Sequence, residues 1–407
     1  MPTRPEIAYF GAGPASLPTA VLEEAAASLL NHLNTGLGIA EHSHRSALAN
    51  DVLRDTTNRL KELLEVPEGY SVIFMQGGGT TQFSAVPYNL FSHFAKRVLT
   101  EENNDIEKTK ARLQKAKAEY VLTGGWSSKA CTEAKRLVGE EKVQVIANAK
   151  DVNGGKWGDI PAAESWNLVK EGEGESVYTY YCDNETVDGV EFTGVPQVPE
   201  GRYVVADMSS NILSRKVDVS KFALIYAGAQ KNVGTAGLTI LIIRDDILQT
   251  QCNDTELRSL GLPLPPIMLH YPTLTANNSL YNTLPIFEVY ICGLVMKKLL
   301  ETGGLGAMQA SADRKASKIY ALLDKYENLF KVVPKKAVRS RMNICFRIEG
   351  EGLEGKFVKG GEERGLLGLK GHRSVGGIRI SNYNSITEEQ VDKLTAYIEE
   401  FAKSATA

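Results

Sequence analysis

Two residues in this chain are of a type and setting to do chemistry: an acid, Asp207, in ADMSS, and a lysine, Lys231, in YAGAQKNVGTAG. Short apolar runs over 203–206 and 224–227 precede them, so each stands where a strand ends. An acid after one strand and a lysine after the next face each other across a strand-end crevice. Small residues flank the lysine, Gly228 and Ala229 before it and Gly234 and Gly237 after it, and leave room for a bulky planar adduct. That arrangement suits a Schiff base with pyridoxal 5'-phosphate (PLP), in which an acid supports the protonated pyridine nitrogen. Taken singly, such a lysine is a surface charge and such an acid caps a turn. The pair in its glycine frame favours chemistry.

Other side chains could complete a site. Gly77-Gly78-Gly79 follows an apolar run over 71–75 and precedes a helical pattern. Free backbone amides at a helix start cradle phosphate, although glycines after strands also serve simply as turns. The run lacks the Gly-Lys-Ser/Thr of a P-loop and the spacing of a dinucleotide fingerprint. His44-Arg45 and His372-Arg373, with Arg379 beyond, are basic groups suited to phosphate and carboxylate, and any one of them could as well be a solvated loop charge. Trp126, after Gly124-Gly125, can stack on a flat ring or pack in a core.

The elements that must position these residues alternate. Strands are expected over 71–75, 120–123, 143–146, 176–181, 203–206 and 224–227. Helices are expected over 18–34, 46–65 and 128–137, with another resuming near Thr81. Alternation implies an α/β fold with a mainly parallel sheet covered on both faces, and ligands in such folds gather at strand carboxyl ends. Ten of the 19 residues over 101–119 are charged, which predicts a solvated helix. From about residue 285 the pattern changes to helices over 285–300 and up to 329, strands over 342–348 and 377–381, and a terminal helix over 387–401. A smaller α+β unit is expected there.

Composition bounds the rest. The 407 residues allow two or three domains at roughly 100–200 residues each. Forty-six basic against 49 acidic residues leave a net charge of −3, which argues against a dedicated nucleic-acid binder. The apolar run over 238–243 is too short to span a bilayer, so no membrane partner is expected. Five scattered cysteines without CxxC spacing fit reduced thiols in a cytoplasmic setting, with neither a disulfide frame nor a metal site.

Segments distributed from Phe10 to about Asn384 resemble a known family. GAGPASLP, HSHR, GGGTTQFSAVPYNL, YYCDNETVDGV, ADMSSNILSRKVDVS, YAGAQKNVGTAGLTI, LYNTLPIF, SRMNI and GLKGHRSVGGIRIS are similar, in order, to segments of the phosphoserine aminotransferases. These are class-V members of the fold-type I PLP enzymes. The resemblance implies a large PLP-binding domain over 17–297 and a small domain over 298–407 joined by 1–16. It implies that Lys231 holds PLP as a Schiff base and moves the substrate proton, with Asp207 on the pyridinium nitrogen. Trp126 would stack on the ring and Thr186 would bond its hydroxyl. Gly79, Thr80, Ser209 and Gln230 would hold the phosphate, joined by Asn282 and Thr283 from the second subunit of a homodimer. Arg379 would take the substrate α-carboxylate, and His44, Arg45, His372 and Arg373, drawn from both subunits, the distal phosphate or carboxylate. The implied reaction converts 3-phosphohydroxypyruvate and L-glutamate into O-phospho-L-serine and 2-oxoglutarate, by a ping-pong route, in serine biosynthesis.

Rival readings differ in particular residues. A cysteine desulfurase would carry histidine before the lysine, where Gln230 stands, and a loop cysteine, whereas Cys345 lies in a strand-like run. A transaminase of small uncharged side chains has no use for two His-Arg pairs. A noncatalytic PLP carrier needs no clamp such as Arg379.

Overall fold

The computed structural model describes residues 2–170 and 172–406; positions 1 and 407, which the expected domain bounds include, lie outside them. Its strands are β1 (Ala8–Tyr9), β2 (Tyr70–Gln76), β3 (Ala116–Leu122), β4 (Val143–Asn148), β5 (Glu175–Cys182), β6 (Asn184–Glu185), β7 (Val190–Glu191), β8 (Val204–Asp207), β9 (Leu224–Gly228), β10 (Leu238–Arg244), β11 (Phe330–Val332), β12 (Asn343–Ile348), β13 (Leu366–Leu367) and β14 (Ile378–Ser381). The longer helices are α1 (Thr19–Leu30), α2 (Ala47–Leu63), α3 (Gly78–Glu101), α4 (Ile106–Lys115), α5 (Gly125–Val138), α6 (Ile286–Glu301), α7 (Gly304–Lys325), α8 (Leu353–Glu362) and α9 (Glu388–Thr406).

A seven-stranded sheet runs in the order β2-β10-β9-β8-β5-β3-β4. β10 is antiparallel to both its neighbours, and the other pairs are parallel. β2 and β9 both oppose β10 and so point the same way, which brings the carboxyl ends of β2, β3, β4, β5, β8 and β9 to one edge. The central strands read VVAD and LIYAG and are buried at every position, as strands covered on both faces must be. One face packs Leu53, Leu60, Val289 and Met296 against Ile225 and Ala227. The other packs Phe83, Leu90, Phe94 and Ala134 against Tyr178 and Leu241. Ser46 caps α2 by accepting from the Ala49 amide at 3.2 Å, which fixes where that helix starts.

Beyond α7 a three-stranded antiparallel sheet, β11-β12-β14, carries its own core of Phe330, Phe346, Phe357 and Ile380. The N-terminal strand packs on the same core: β1 pairs in parallel with β13 in a separate two-stranded sheet, and Ala8 and Phe10 belong to the same apolar cluster.

Several elements differ from expectation. The segment over 101–119 is not one solvated helix: α4 ends at Lys115, and β3 begins four residues before the expected strand. Ala116 and Ala118 point inward while Lys117 is half-buried, a period of two that the density of charge obscures. Glu119 is fully buried, and its carboxylate accepts from the Val169 amide at 2.7 Å, Ser176 Oγ at 2.6 Å and Thr179 Oγ1 at 2.9 Å, and pairs with Arg202. α5 starts three residues before expectation, which brings Trp126 into its first turn. α1 stops at Leu30, and the chain then turns through Leu33 and Asn34 at positive φ. α7 ends at Lys325, because Phe330 must enter β11. The apolar run over 238–243 is β10, and among the described residues no helix is long and apolar enough to cross a membrane.

Among the described residues the Glu119 carboxylate pairs with a cation only at Arg202, so Arg202→Leu should lower the unfolding free energy by about 3 kcal/mol, the usual cost of stranding a buried charge. Urea melts at pH 7 measure this, and the double change Glu119→Gln with Arg202→Leu should recover most of it. Equal losses in both proteins would mean that packing, not charge, is responsible.

Candidate active site

The shared strand edge opens on a cavity of about 640 Å³. β2 leads into it through Gly77–Gly79, β5 through Asn184 and Thr186, β8 through Asp207 and Ser209, and β9 through Gln230 and Lys231; Trp126, just past β3, completes the wall. Gly77 has φ of 107°, and a Cβ there would stand 2.1 Å from Thr81 Oγ1, so only glycine permits the turn from β2 into α3. Gly77, Gly78, Gly79 and Thr80 line the cavity, and the first amides of α3 have no intrahelical acceptor.

Lys231 Nζ donates to Thr186 Oγ1 at 2.8 Å. Its stem packs by Gly13, whose Cβ would lie 3.3 Å from Lys231 Cγ, and Gln230 O accepts from the Ala15 amide at 2.8 Å. The N-terminal segment thus clamps the lysine loop. Burial pushes the lysine pKa below its ordinary 10.5, against the pull of the nearby Asp207, Cys182 and Glu185 charges, and Arg379 lowers it further. Asp207 is 5% exposed and accepts from the Ser209 amide at 2.9 Å. Burial raises its pKa, while the bonds to Ser209, the Lys231 charge and Tyr226 oppose the rise. Ser209 Oγ accepts from the Gly228 amide at 3.0 Å, and a Cβ on Gly79 would sit 3.2 Å from that oxygen.

The outer part of the cavity is cationic. Arg379, on β14, reaches Thr186 O at 3.5 Å through Nη1, and its Nε is buried with no partner. His372 lines the same space, and its pKa falls through burial and then through the Arg379, Lys129 and Arg373 charges. Lys129 Nζ lies 4.4 Å from the centroid of the Trp126 ring, and the Trp126 indole N–H is buried without a partner.

The residues present fit PLP. A buried carboxylate and a half-buried amine share one cavity without an ion pair between them; a pyridinium nitrogen would give the carboxylate its opposite charge, and an aldehyde would give the amine an electrophile to bond. The Gly78–Thr80 helix start is shaped for a phosphate. Unpartnered Arg379 Nε and Trp126 Nε1 await polar atoms of bound molecules.

Comparison with known proteins is in accord. The residue pattern of the family described as aminotransferase class-V matches residues 7–105 and 166–394. The phosphoserine aminotransferase of Saccharomyces cerevisiae is 44% identical over 405 residues, covering 98% of each chain. This chain is a class-V aminotransferase. The Drosophila melanogaster phosphoserine aminotransferase is 41% identical, covering 97% of this chain and 98% of that one. Among solved structures, the phosphoserine aminotransferase from Bacillus circulans subsp. alkalophilus superposes with a TM-score of 0.84 at 37% identity, covering 97% of this chain and 98% of that one. An alanine–glyoxylate aminotransferase from Nostoc sp. has a TM-score of 0.64 at 14% identity and shares the fold alone. Family membership makes PLP the cofactor.

Of the residues singled out in the sequence, Gly79, Thr80, Trp126, Thr186, Asp207, Ser209, Gln230, Lys231, His372 and Arg379 line this cavity. Arg373 is exposed on the loop beside His372. Asn282 and Thr283 bond instead to Gln76, at 3.1 and 3.0 Å, just outside the cavity. His44 and Arg45 lie on the turn before α2 and do not line it. Sequence reasoning missed Gly13, Tyr226 and the acids Glu185 and Asp188. Tyr226 reads as an ordinary strand residue, and the two acids lie within the NETVDG segment without a spacing signature of their own.

The lowered Lys231 pKa has a measurable consequence. A buried amine is more readily neutral, so the rate at which cofactor-free protein captures PLP should rise with pH along a titration whose midpoint lies below 10.5. Stopped-flow absorbance over pH 6–11 reads it. A midpoint at or above 10.5 would contradict the effect of burial.

Proposed function

We infer that this chain catalyses reversible amino-group exchange between L-glutamate and 3-phosphohydroxypyruvate, giving O-phospho-L-serine and 2-oxoglutarate in serine biosynthesis. The reading is carried by one juxtaposition: a half-buried lysine and a buried acid lining one cavity with His372 and Arg379. Near-full-length relatives named phosphoserine aminotransferases support the choice of substrate.

In this reading Lys231 would hold the cofactor through its amine and would carry the proton at the substrate α-carbon. Bound PLP supplies an electron sink for the pair left on that carbon. Asp207 would keep a proton on the ring nitrogen, a bond that its low-dielectric setting would strengthen. Thr186 steadies the lysine amine through its hydroxyl and offers the same hydroxyl to the ring. The Gly79 and Thr80 amides, with Ser209 and Gln230, hold the phosphate, and Trp126 covers the ring face. Arg379 binds the α-carboxylate by a bidentate fork and so orients the α-hydrogen toward Lys231.

One cationic pocket must accept phosphate in one half-reaction and carboxylate in the other. His372 and Arg373 form part of it, completed in a homodimer by the partner subunit's His44 and Arg45. The partner subunit's Asn282 and Thr283 then reach the cofactor phosphate. This is supported by the position of those four residues outside the cavity of their own chain, and by exposed Leu29, Leu30, Leu33 and Tyr281 nearby in sequence. The large unit would span 17–297 and the small one 298–407 with 1–16, in keeping with the separate core around Phe346. Five free, buried cysteines suit a cytoplasmic setting.

Initial rates with phosphoserine and with serine as amino donors test the assignment. The phosphorylated donor should be preferred, and Arg45→Ala or Arg373→Ala should each cut kcat/KM for phosphoserine on the order of 100-fold, by loss of a charge-assisted contact, while changing the rate with serine little. Lys231→Ala should abolish turnover. Equal turnover of both donors in the unmodified protein would refute the phosphate pocket.

A further inference from the structure

The helix that carries Trp126 caps itself only from within, Ser127 Oγ accepting from the Gly124 amide at 3.2 Å and the Thr123 amide at 3.0 Å. At the start of α5 the residue in the N-cap position is Gly124, with no side chain to offer. Its first three amides are taken instead by two acids from a distant turn. Gly125 N–H donates to Asp188 Oδ2 at 3.1 Å, Trp126 N–H to Glu185 Oε2 at 2.9 Å, and Ser127 N–H to Glu185 Oε1 at 2.8 Å. Ser127 Oγ adds a fourth bond, to Glu185 Oε1, at 2.6 Å. A Cβ on Gly124 would stand 2.5 Å from Glu185 Cδ and 2.7 Å from Asp188 Oδ2, so the acids occupy the space of the missing capping side chain.

Both acids are nearly or wholly out of water, Glu185 at 0% exposure and Asp188 at 4%. Burying two carboxylates side by side is costly: burial raises Glu185 to about 7, with the Asp188 charge adding to the rise, and raises Asp188 to about 6 against the pull of the Gly125 amide and the Lys150 and Arg379 charges. A serine or aspartate at position 124 would cap the helix more cheaply. What the distant acids achieve, and a local cap cannot, is registration. Between them in the chain stands Thr186, whose hydroxyl receives Lys231 Nζ and whose carbonyl oxygen receives Arg379 Nη1. One short turn therefore holds the amine, the arginine and the tryptophan in fixed relation.

We propose that Glu185, assisted by Asp188, is a positioning residue that sets the Trp126 ring against the cofactor in register with Lys231. The proposal rests on the reading that Trp126 covers the cofactor ring. Carboxylate acceptors on amides at a helix start are strong, because they combine charge-assisted hydrogen bonds with the helix dipole. Glutamine at 185 keeps the shape but replaces one acceptor oxygen by a donor, which faces an amide or hydroxyl that also donates.

A double-mutant cycle on cofactor affinity tests this, with PLP titrated into cofactor-free wild-type, Trp126→Leu, Glu185→Gln and doubly changed protein and followed by absorbance. Trp126→Leu should weaken binding about 3- to 10-fold, the scale of one lost stacking contact. Glu185→Gln should weaken it by a similar factor, and the double change by no more than the larger single effect within about twofold. Amide hydrogen exchange at Trp126 and Ser127 should accelerate at least tenfold in Glu185→Gln. If Glu185→Gln does not fold, Ser127→Ala replaces it in the cycle, with the same lack of additivity expected. Factors that multiply in the double variant would reduce the two acids to a plain helix cap and overturn the proposal, as would unchanged affinity in Glu185→Gln. Unchanged affinity in Trp126→Leu alone would instead show that Trp126 does not cover the cofactor.

Discussion

A half-buried amine and a buried carboxylate held in one cavity are the constraint from which the rest of the site follows. In water Lys231 and Asp207 would be solvated and fully charged, with little to distinguish them from the other lysines and acids of the chain. Buried at the ends of adjacent strands, each is displaced from its ordinary ionisation, the lysine toward the free amine and the acid toward the protonated form. Both displacements are relieved by a molecule bringing an electrophilic aldehyde and a protonated ring nitrogen. The cavity is thus destabilised on its own and stabilised by its cofactor, the thermodynamic form of tight and specific cofactor binding.

Shielding those groups requires walls from both parts of the chain. The sheet brings six carboxyl ends to one edge, but that edge would be open without the small unit and the N-terminal segment. Asn343, at the start of β12, accepts from Asn184 at 2.8 Å and donates to Ser381 Oγ at 3.1 Å and Tyr383 Oη at 3.2 Å. Tyr383 Oη in turn donates to Ala12 O at 3.0 Å. This buried polar chain ties the turn bearing Thr186 to the strand bearing Arg379 and to the segment that clamps Lys231. Every one of these groups is satisfied by another, so the ties are stiff, and displacing one strands its neighbours. Thr186, Arg379 and Lys231 are in this way located by a single connected framework.

Much of the fold was legible in the sequence, because the signals there are local. Apolar runs followed by glycines announced the strands and the edge where ligands gather, and the spacing of leucines announced α2. The errors fell where a local rule met a tertiary demand. Glu119 reads as solvent-exposed beside so many lysines, yet Arg202, Ser176 and Thr179 approach from elsewhere and admit it to the interior. α5 starts early because its cap comes from residues 185 and 188, which no window around Gly124 contains.

The same division separates the chemistry from its arrangement. Residue types and order alone marked Lys231, Asp207, Trp126, His372 and Arg379, because reactivity belongs to functional groups and the glycines beside them are written in the chain. Which of the marked residues share a cavity, how far each ionisation is displaced, and that Glu185 and Asp188 hold the tryptophan's helix were settled by folding. Those properties depend on the removal of water and on distances between residues remote in sequence, and neither quantity exists until the strands and helices have packed.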